Sequence, residues 1–225
     1  MNIDLIESEK IIVVYDKTAS HNVDPQKGFT PLCPDELPVP DGDNIVTELV
    51  GQNELVAYRT VSKDMHPANA IWLATKEKPQ YTPVEGDNVD IRWNAHCMSG
   101  TKGAELLDGL GKMSDFDFFL AKGYEPELHP YSSCYHDLKK TISTGLIEWY
   151  NSKNISTIIV GGLATNYCVG ETVIDLVNAG FQVILNLGAC RGIGSTEDVD
   201  KYVNELVEKY GVLVVNSYNE IDVIA

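Results

Sequence analysis

Residues 158–187 read IIVGGLATNYCVGETVIDLVNAGFQVILNL, and this stretch sets the architecture. The apolar β-branched run Ile158, Ile159 and Val160 ends at Gly161 and Gly162, as a strand running into a tight turn does. Val169, Val173, Leu176 and Val177 then recur at i, i+4, i+7 and i+8, which is one face of a helix. Gly180 closes that helix, and Phe181 to Leu187 resume a β-rich run. Strand, turn, helix and strand make a βαβ crossover, which implies parallel strands covered by helices. Cys168 stands where the helix begins. Unpaired N–H groups and the helix dipole gather there and favour a thiolate, and any anion formed beside it. Position alone nominates Cys168 as a nucleophile.

On the C-terminal side, Ser195 with Asp198 makes a capping-box-like start for a helix through Tyr210, and GVLVVN (211–216) is a last strand. On the N-terminal side, Asp115 to Ala121 reads as a strand ending at Lys122, and Leu138, Ile142, Leu146 and Trp149 mark a helix face. Glu54 to Val61 is a further strand, with Asp64 following at its C-terminal end. Before it, prolines at 31, 34, 38 and 40 forbid helix until Asn44, after which IVTELVGQ makes a short one. Ile11 to Val14 and Thr18 to Val23 are extended, the second halting at Asp24-Pro25. From Met65 to Ser99 no period holds, yet Trp72, Tyr81 and Trp93 argue for a functional loop and against disorder. Strands alternating with helices predict an α/β fold, a three-layer αβα sandwich around a mainly parallel sheet. One domain over 1–225 is expected, with an extended loop at about 65–99.

The bulk numbers exclude several classes. A formal charge of −16 over 225 residues argues against nucleic acid or an anionic membrane as partner, since both need a basic face. The acidic start MNIDLIESEK is no signal peptide and IIVV is too short for a membrane span. Five cysteines, at 33, 97, 134, 168 and 190, form no CxxC pair and no disulfide framework. A cytoplasmic protein is expected.

Asp24, Asp64, Lys122 and Cys168 all fall at or near the ends of predicted strands. In a parallel sheet those C-terminal edges converge on one crevice. There a lysine lowers the thiol pKa, a carboxylate takes and returns the proton, and the thiolate attacks an acyl carbon. Taken singly each residue has a plainer reading: a buried small hydrophobe, a turn cap, a solvated strand end. Asp64, His66 and His96 form a second set, suited to zinc, iron or manganese with positions left open for water or substrate. The alternative is that His66 is a loop histidine and His96 a satisfied core one. His21, His129 and His136 have no such company and read as surface or packing residues.

These residues carry a resemblance. VDPQKGF (23–29) with LPVP (37–40), SKDMHP (62–67), WNAHC (93–97) with GTKG (100–103), Lys122-Gly123, GLATNYCV (162–169) and ACRG (189–192) stand in order and at compatible spacing. From about Thr18 to Val215 the chain resembles the nicotinamidases of the isochorismatase-like cysteine hydrolases. The first block selects Asp24 over Asp16 as the base, because only Asp24 has Gln26 and Phe29 at the right offsets. The resemblance implies a catalytic triad of Asp24, Lys122 and Cys168. It also implies a cis peptide between Leu163 and Ala164, and an oxyanion site on the N–H groups of Ala164 and Cys168. A divalent metal on Asp64, His66 and His96 would orient a pyridine ring, zinc being favoured over iron or manganese. Phe29, Trp93 and Tyr167 would contact the substrate, and a homo-oligomer is expected. Two features depart from the pattern. Ala70 stands where many members have a second histidine, so waters or an acid such as Glu77, Glu85 or Asp87 would complete the metal shell. The loop from His66 to His96 is longer than in compact members, and its YTPVEGDN stretch (81–88) is a candidate lid. Rival readings are another amide or carbamoyl hydrolase, such as one acting on ureido acids, and a non-catalytic binding domain.

Overall fold

Alternate residues of each apolar run face opposite sides of one sheet, and that alternation builds two cores. A computed structural model describes residues 10–225; most of the acidic start read above as no leader lies outside them. In chain order the elements are β1 (Ile11–Val14), β2 (Thr18–Val23), α1 (Val46–Glu54), β3 (Tyr58–Asp64), β4 (Phe118–Lys122), α2 (Leu146–Ser152), β5 (Thr157–Leu163), α3 (Gly170–Asn178), β6 (Gln182–Arg191), α4 (Thr196–Tyr210), β7 (Leu213–Val215) and β8 (Ile221–Ile224). The main sheet has the order β4-β3-β2-β5-β6-β7 and is parallel throughout, while β1 and β8 pair as a small parallel sheet. Among the described residues no helix is long and apolar enough to cross a membrane.

Ile158 and Val160 of β5, with Val183 and Leu185 of β6, point to a core shared with Leu146, Val173, Leu176, Val203 and Leu206 of α2, α3 and α4. Ile159 and Ile184, one residue out of phase, point the other way, to a core with Val13, Val215 and Ile221. Each such side chain, wholly removed from water, contributes about 1.5–3 kcal/mol. α4 is capped as its sequence predicts: Ser195 accepts from Asp198 N–H, and Gly211 closes the helix at φ 67°.

Several elements differ from the sequence reading. α1 runs on through Glu54, so β3 begins at Tyr58 and reaches Asp64 itself. Asp115 sits in a 3-10 turn and β4 starts only at Phe118. The helix read over Leu138 to Trp149 begins at Leu146, because the Asp137 carboxylate accepts from Thr141 N–H and Ile142 N–H, both at 2.9 Å, and holds a turn there. No α-helix joins β3 to β4: residues 65–117 cross as coil with short 3-10 turns. The outer layer on that face is therefore α1, the small sheet and packed loop.

β2 is the first strand of the main sheet. From it β3 and β4 build outward on one side, and β5, β6 and β7 on the other. The order reverses between β2 and β5, the place where open parallel sheets leave a crevice. Gly162 permits their approach, since a Cβ there would overlap the Val23 carbonyl and the residue holds φ 137°.

Candidate active site

Three neighbouring strand ends deliver the catalytic candidates to that crevice. Asp24 follows β2 at φ 42°, a left-handed conformation that aspartate tolerates better than most residues. Asp64 ends β3 and Lys122 ends β4, in register with each other. The Gln26 side chain clamps the first two ends together, donating to Asp64 C=O at 2.8 Å and accepting from Asp64 N–H at 2.7 Å. Gly123, at φ 71°, clears room for the His66 ring, which a Cβ there would meet at 2.6 Å.

Lys122 is wholly buried, and its Nζ is the hub of the site. It lies 2.5 Å from Asp64 Oδ1, 3.0 Å from Asp24 Oδ2, 3.3 Å from Pro130 C=O and 3.7 Å from Cys168 Sγ. A carboxylate oxygen from each of Asp24 and Asp64 and the Cys168 sulfur lie within 4.8 Å of one another. Asp24 Oδ1 accepts from Ser62 Oγ at 2.7 Å, and Ser62 in turn accepts from Ser133 Oγ at 2.9 Å. Thr172 of α3 donates to Cys168 C=O at 2.6 Å and accepts from Ser133 N–H at 2.9 Å, tying base and nucleophile into one network.

Electrostatics divide the roles. Burial pushes the Asp24 carboxyl up to about 6, with Lys122 pulling against it. Burial also opposes ionisation of Asp64, but Lys122 and His66 outweigh it and hold that group well below the usual carboxylate range. Burial likewise works against the Lys122 ammonium, and the Asp24 and Asp64 carboxylates keep it charged. Burial, reinforced by both carboxylates, pushes the Cys168 thiol well above its ordinary value in spite of Lys122. The expectation of a preformed thiolate is thus corrected: in the free protein desolvation beats the lysine. The position of Cys168 also shifts. It lies in a π-type turn over Thr165–Val169, with α3 starting at Gly170. The peptide between Leu163 and Ala164 is cis.

Beside this hub is a histidine cluster. Ring nitrogens of His66, His96 and His129 lie within 4.8 Å of one another, all three residues being buried. The Nδ1 of His66 is 3.0 Å from Gly123 C=O and that of His96 is 2.6 Å from Asn94 C=O. Those carbonyls place the proton on Nδ1 and leave Nε2 as a lone pair. Asp64 joins the two centres, its Oδ2 lying 3.5 Å from His66 Nε2. Burial, then His66, pushes His96 down to about 3, and burial with His66 and His96 holds His129 well below the ordinary histidine range. Both are neutral imidazoles at pH 7, the form that ligates a metal. Reading His129 as a packing residue is corrected. His21 is a satisfied core histidine, with Nδ1 2.8 Å from Thr60 Oγ1. Glu77, Glu85 and Asp87 are exposed, and none joins the cluster.

A cavity of about 290 Å³ opens onto both centres, lined by Cys168, Asp64, His96 and His129 and walled by Phe29, Trp93, Tyr131, Tyr167 and Ile193. The three contacts expected from sequence, Phe29, Trp93 and Tyr167, all line it. Tyr131, which sequence reasoning missed, accepts from Trp93 Nε1 at 3.1 Å and donates to the Asp90 carboxylate at 2.9 Å. None of 81–88 lines the cavity; that stretch reaches the wall through Tyr81, edge-on to Trp93 at 5.4 Å.

Comparison with known proteins agrees with this geometry. Residues 52–217 match the family described as the Isochorismatase domain. The nicotinamidase of Escherichia coli (strain K12) is 32% identical over 166 residues, covering 70% of this chain and 76% of that one. The structure of an Acinetobacter baumanii nicotinamidase pyrazinamidase superposes with a TM-score of 0.80 at 28% identity, over 91% of this chain and 98% of that one. A pyrazinamidase of Pyrococcus horikoshii, solved in complex with zinc, gives a TM-score of 0.70 at 27% identity, over 88% and 98%.

Proposed function

We propose, from the premise that the chain belongs to the isochorismatase family, that it is an amidohydrolase converting nicotinamide and water to nicotinate and ammonia, a step of NAD salvage. The observation that carries this reading is the placement of Lys122 Nζ 3.0 Å from Asp24 and 3.7 Å from Cys168, behind an aromatic-walled cavity that Cys168 lines.

Asp24 is the base. The Cys168 proton passes to the Asp24 carboxylate as sulfur attacks the carboxamide carbon, forming the C–S bond and moving the carbonyl π pair onto oxygen. The N–H groups of Ala164 and Cys168 receive that oxyanion. Lys122 stays charged throughout and holds Asp24 and the forming thiolate together. Asp24 then returns the proton to the amide nitrogen, the C–N bond breaks and ammonia leaves, giving a thioester. Water enters, gives a proton to Asp24 and attacks the same carbon; the C–S bond breaks, the sulfur recovers the proton, and the acid departs. Ser62 and Ser133 keep Asp24 aimed through both halves.

A divalent metal fits the second centre. Asp64, His66 and His96 offer a carboxylate and two imidazoles, and His66 Nε2 is a buried nitrogen with no hydrogen-bond partner. Bound there, a zinc ion or its like would supply a Lewis acid for the pyridine nitrogen and fix the ring. Phe29, Trp93 and Tyr167 pack against the ring.

The ureido-acid alternative needs a cation for the substrate carboxylate, and no arginine lines the cavity among the described residues. Ammonia release measured over nicotinamide, pyrazinamide and N-carbamoyl acids tests the reading. Turnover of the two aromatic amides is expected, and turnover confined to the carbamoyl acids would overturn it.

A further inference from the structure

The long connection from β4 to α2 carries a histidine that the triad does not use and that the sequence gives no reason to place in the site. His129 is 3% exposed, and its ring packs tilted against Trp72 at 4.3 Å and edge-on to Tyr131 at 5.1 Å. Its Nδ1 is buried without a hydrogen-bond partner. An unpartnered buried ring nitrogen is costly, so its retention calls for a partner. Besides Trp72, Trp93 and Tyr131, two other imidazoles lie beside it: His66 at 5.4 Å and His96 at 6.2 Å between ring centroids. Neither is hydrogen-bonded to its Nδ1, and one ring nitrogen from each of the three lies within 4.8 Å of the others, as ligands gathered around one ion would.

We propose that His129 is a ligand of the metal, so that the ion is held by three imidazoles, His66, His96 and His129, with Asp64 at their side. This rests on the metal reading above and extends it. It also accounts for Ala70: that residue is buried among apolar neighbours, and the imidazole missing there is supplied from after Lys122 instead of from the 65–99 loop. Three imidazoles suit a borderline cation such as zinc. The carboxylate of Asp64 is then free to keep its short contact with Lys122, a contact that strong ligation would weaken.

The test is metal binding, read without turnover. Metal-free wild-type protein and His129→Phe, which keeps a ring between Trp72 and Tyr131, are titrated with zinc by calorimetry, and metal per chain is measured after dialysis. One zinc per chain is expected for the wild type, with affinity lowered in His129→Phe by more than the roughly 10–100-fold typical of a residue that merely supports a ligand. X-ray absorption of the zinc-loaded wild type, which needs no variant to fold, is expected to count three imidazoles. Equal affinity in His129→Phe with two imidazoles counted would overturn the inference and leave Asp64, His66 and His96 standing. A wild type that takes up no zinc would overturn the metal reading itself, and this inference with it.

Discussion

Replacing the base should change the stability of the protein by an amount that depends on pH. Asp24 is wholly buried, and its carboxyl is raised from 3.8 to about 6 because desolvation outweighs Lys122. A carboxyl raised on folding stabilises the native state fully below its unfolded value, and that contribution is lost as pH rises through its folded value. The distance from 3.8 to about 6 is worth on the order of 3 kcal/mol at about 1.4 kcal/mol per pH unit. The amide introduced by Asp24→Asn is neutral at every pH, and its oxygen can still accept from Ser62 and Lys122. The Lys122 ion pair exists only where folded Asp24 is ionised, above about pH 6, and its pull is already contained in that value, so the informative quantity is the change with pH. Urea unfolding of wild type and Asp24→Asn at pH 4 and at pH 8 measures it. The stability of Asp24→Asn relative to wild type should rise by about 2.5 kcal/mol between the two, while ammonia release is abolished. A difference that does not vary with pH would refute the claim that burial dominates at Asp24.

Four further outcomes follow from the same geometry. Since Asp24 must be ionised to take the Cys168 proton, kcat/KM should fall about tenfold per unit below about pH 6; a profile flat down to about pH 4.5 counts against Asp24. Cys168→Ala should lose on the order of 10⁴-fold or more in ammonia release with its far-UV spectrum unchanged, and full activity would reassign the nucleophile. Trp93→Phe removes the donor to Tyr131 and should cost about 1 kcal/mol in unfolding free energy and raise KM more than it lowers kcat. Gly162→Ala should cost upwards of about 4 kcal/mol, seen as loss of soluble protein or a collapsed unfolding midpoint, because the β2–β5 approach leaves no room for a methyl group.

The catalytic half of the site was legible because its residues sit at strand ends. A β-branched run followed by Asp24-Pro25, or by Gly161-Gly162, shows locally where a strand stops, and parallel topology then brings the stops together. What escaped depends on contacts distant in sequence. His129 and Tyr131 lie in coil with no period, and only packing against Trp72 and Trp93 gives them a place. The spacing of Leu138 and Ile142 satisfied a helix template, but the Asp137 side chain outcompetes the backbone there. The thiol was misjudged for a different reason: proximity to a lysine can be inferred from topology, whereas the depth at which Cys168 is buried cannot.

One carboxylate, Asp64, touches the ammonium with one oxygen and faces the histidines with the other. The two centres therefore form a linked equilibrium. Any cation gathered by the imidazoles draws on the charge that steadies Lys122, and so favours loss of protons from Asp24 and Cys168. Coupling of this kind is reciprocal. Acidity at the nucleophile must govern how tightly the cation is held, by the same factor with which the cation alters that acidity. A proton titration and a chelator titration of this protein are then two measurements of a single quantity.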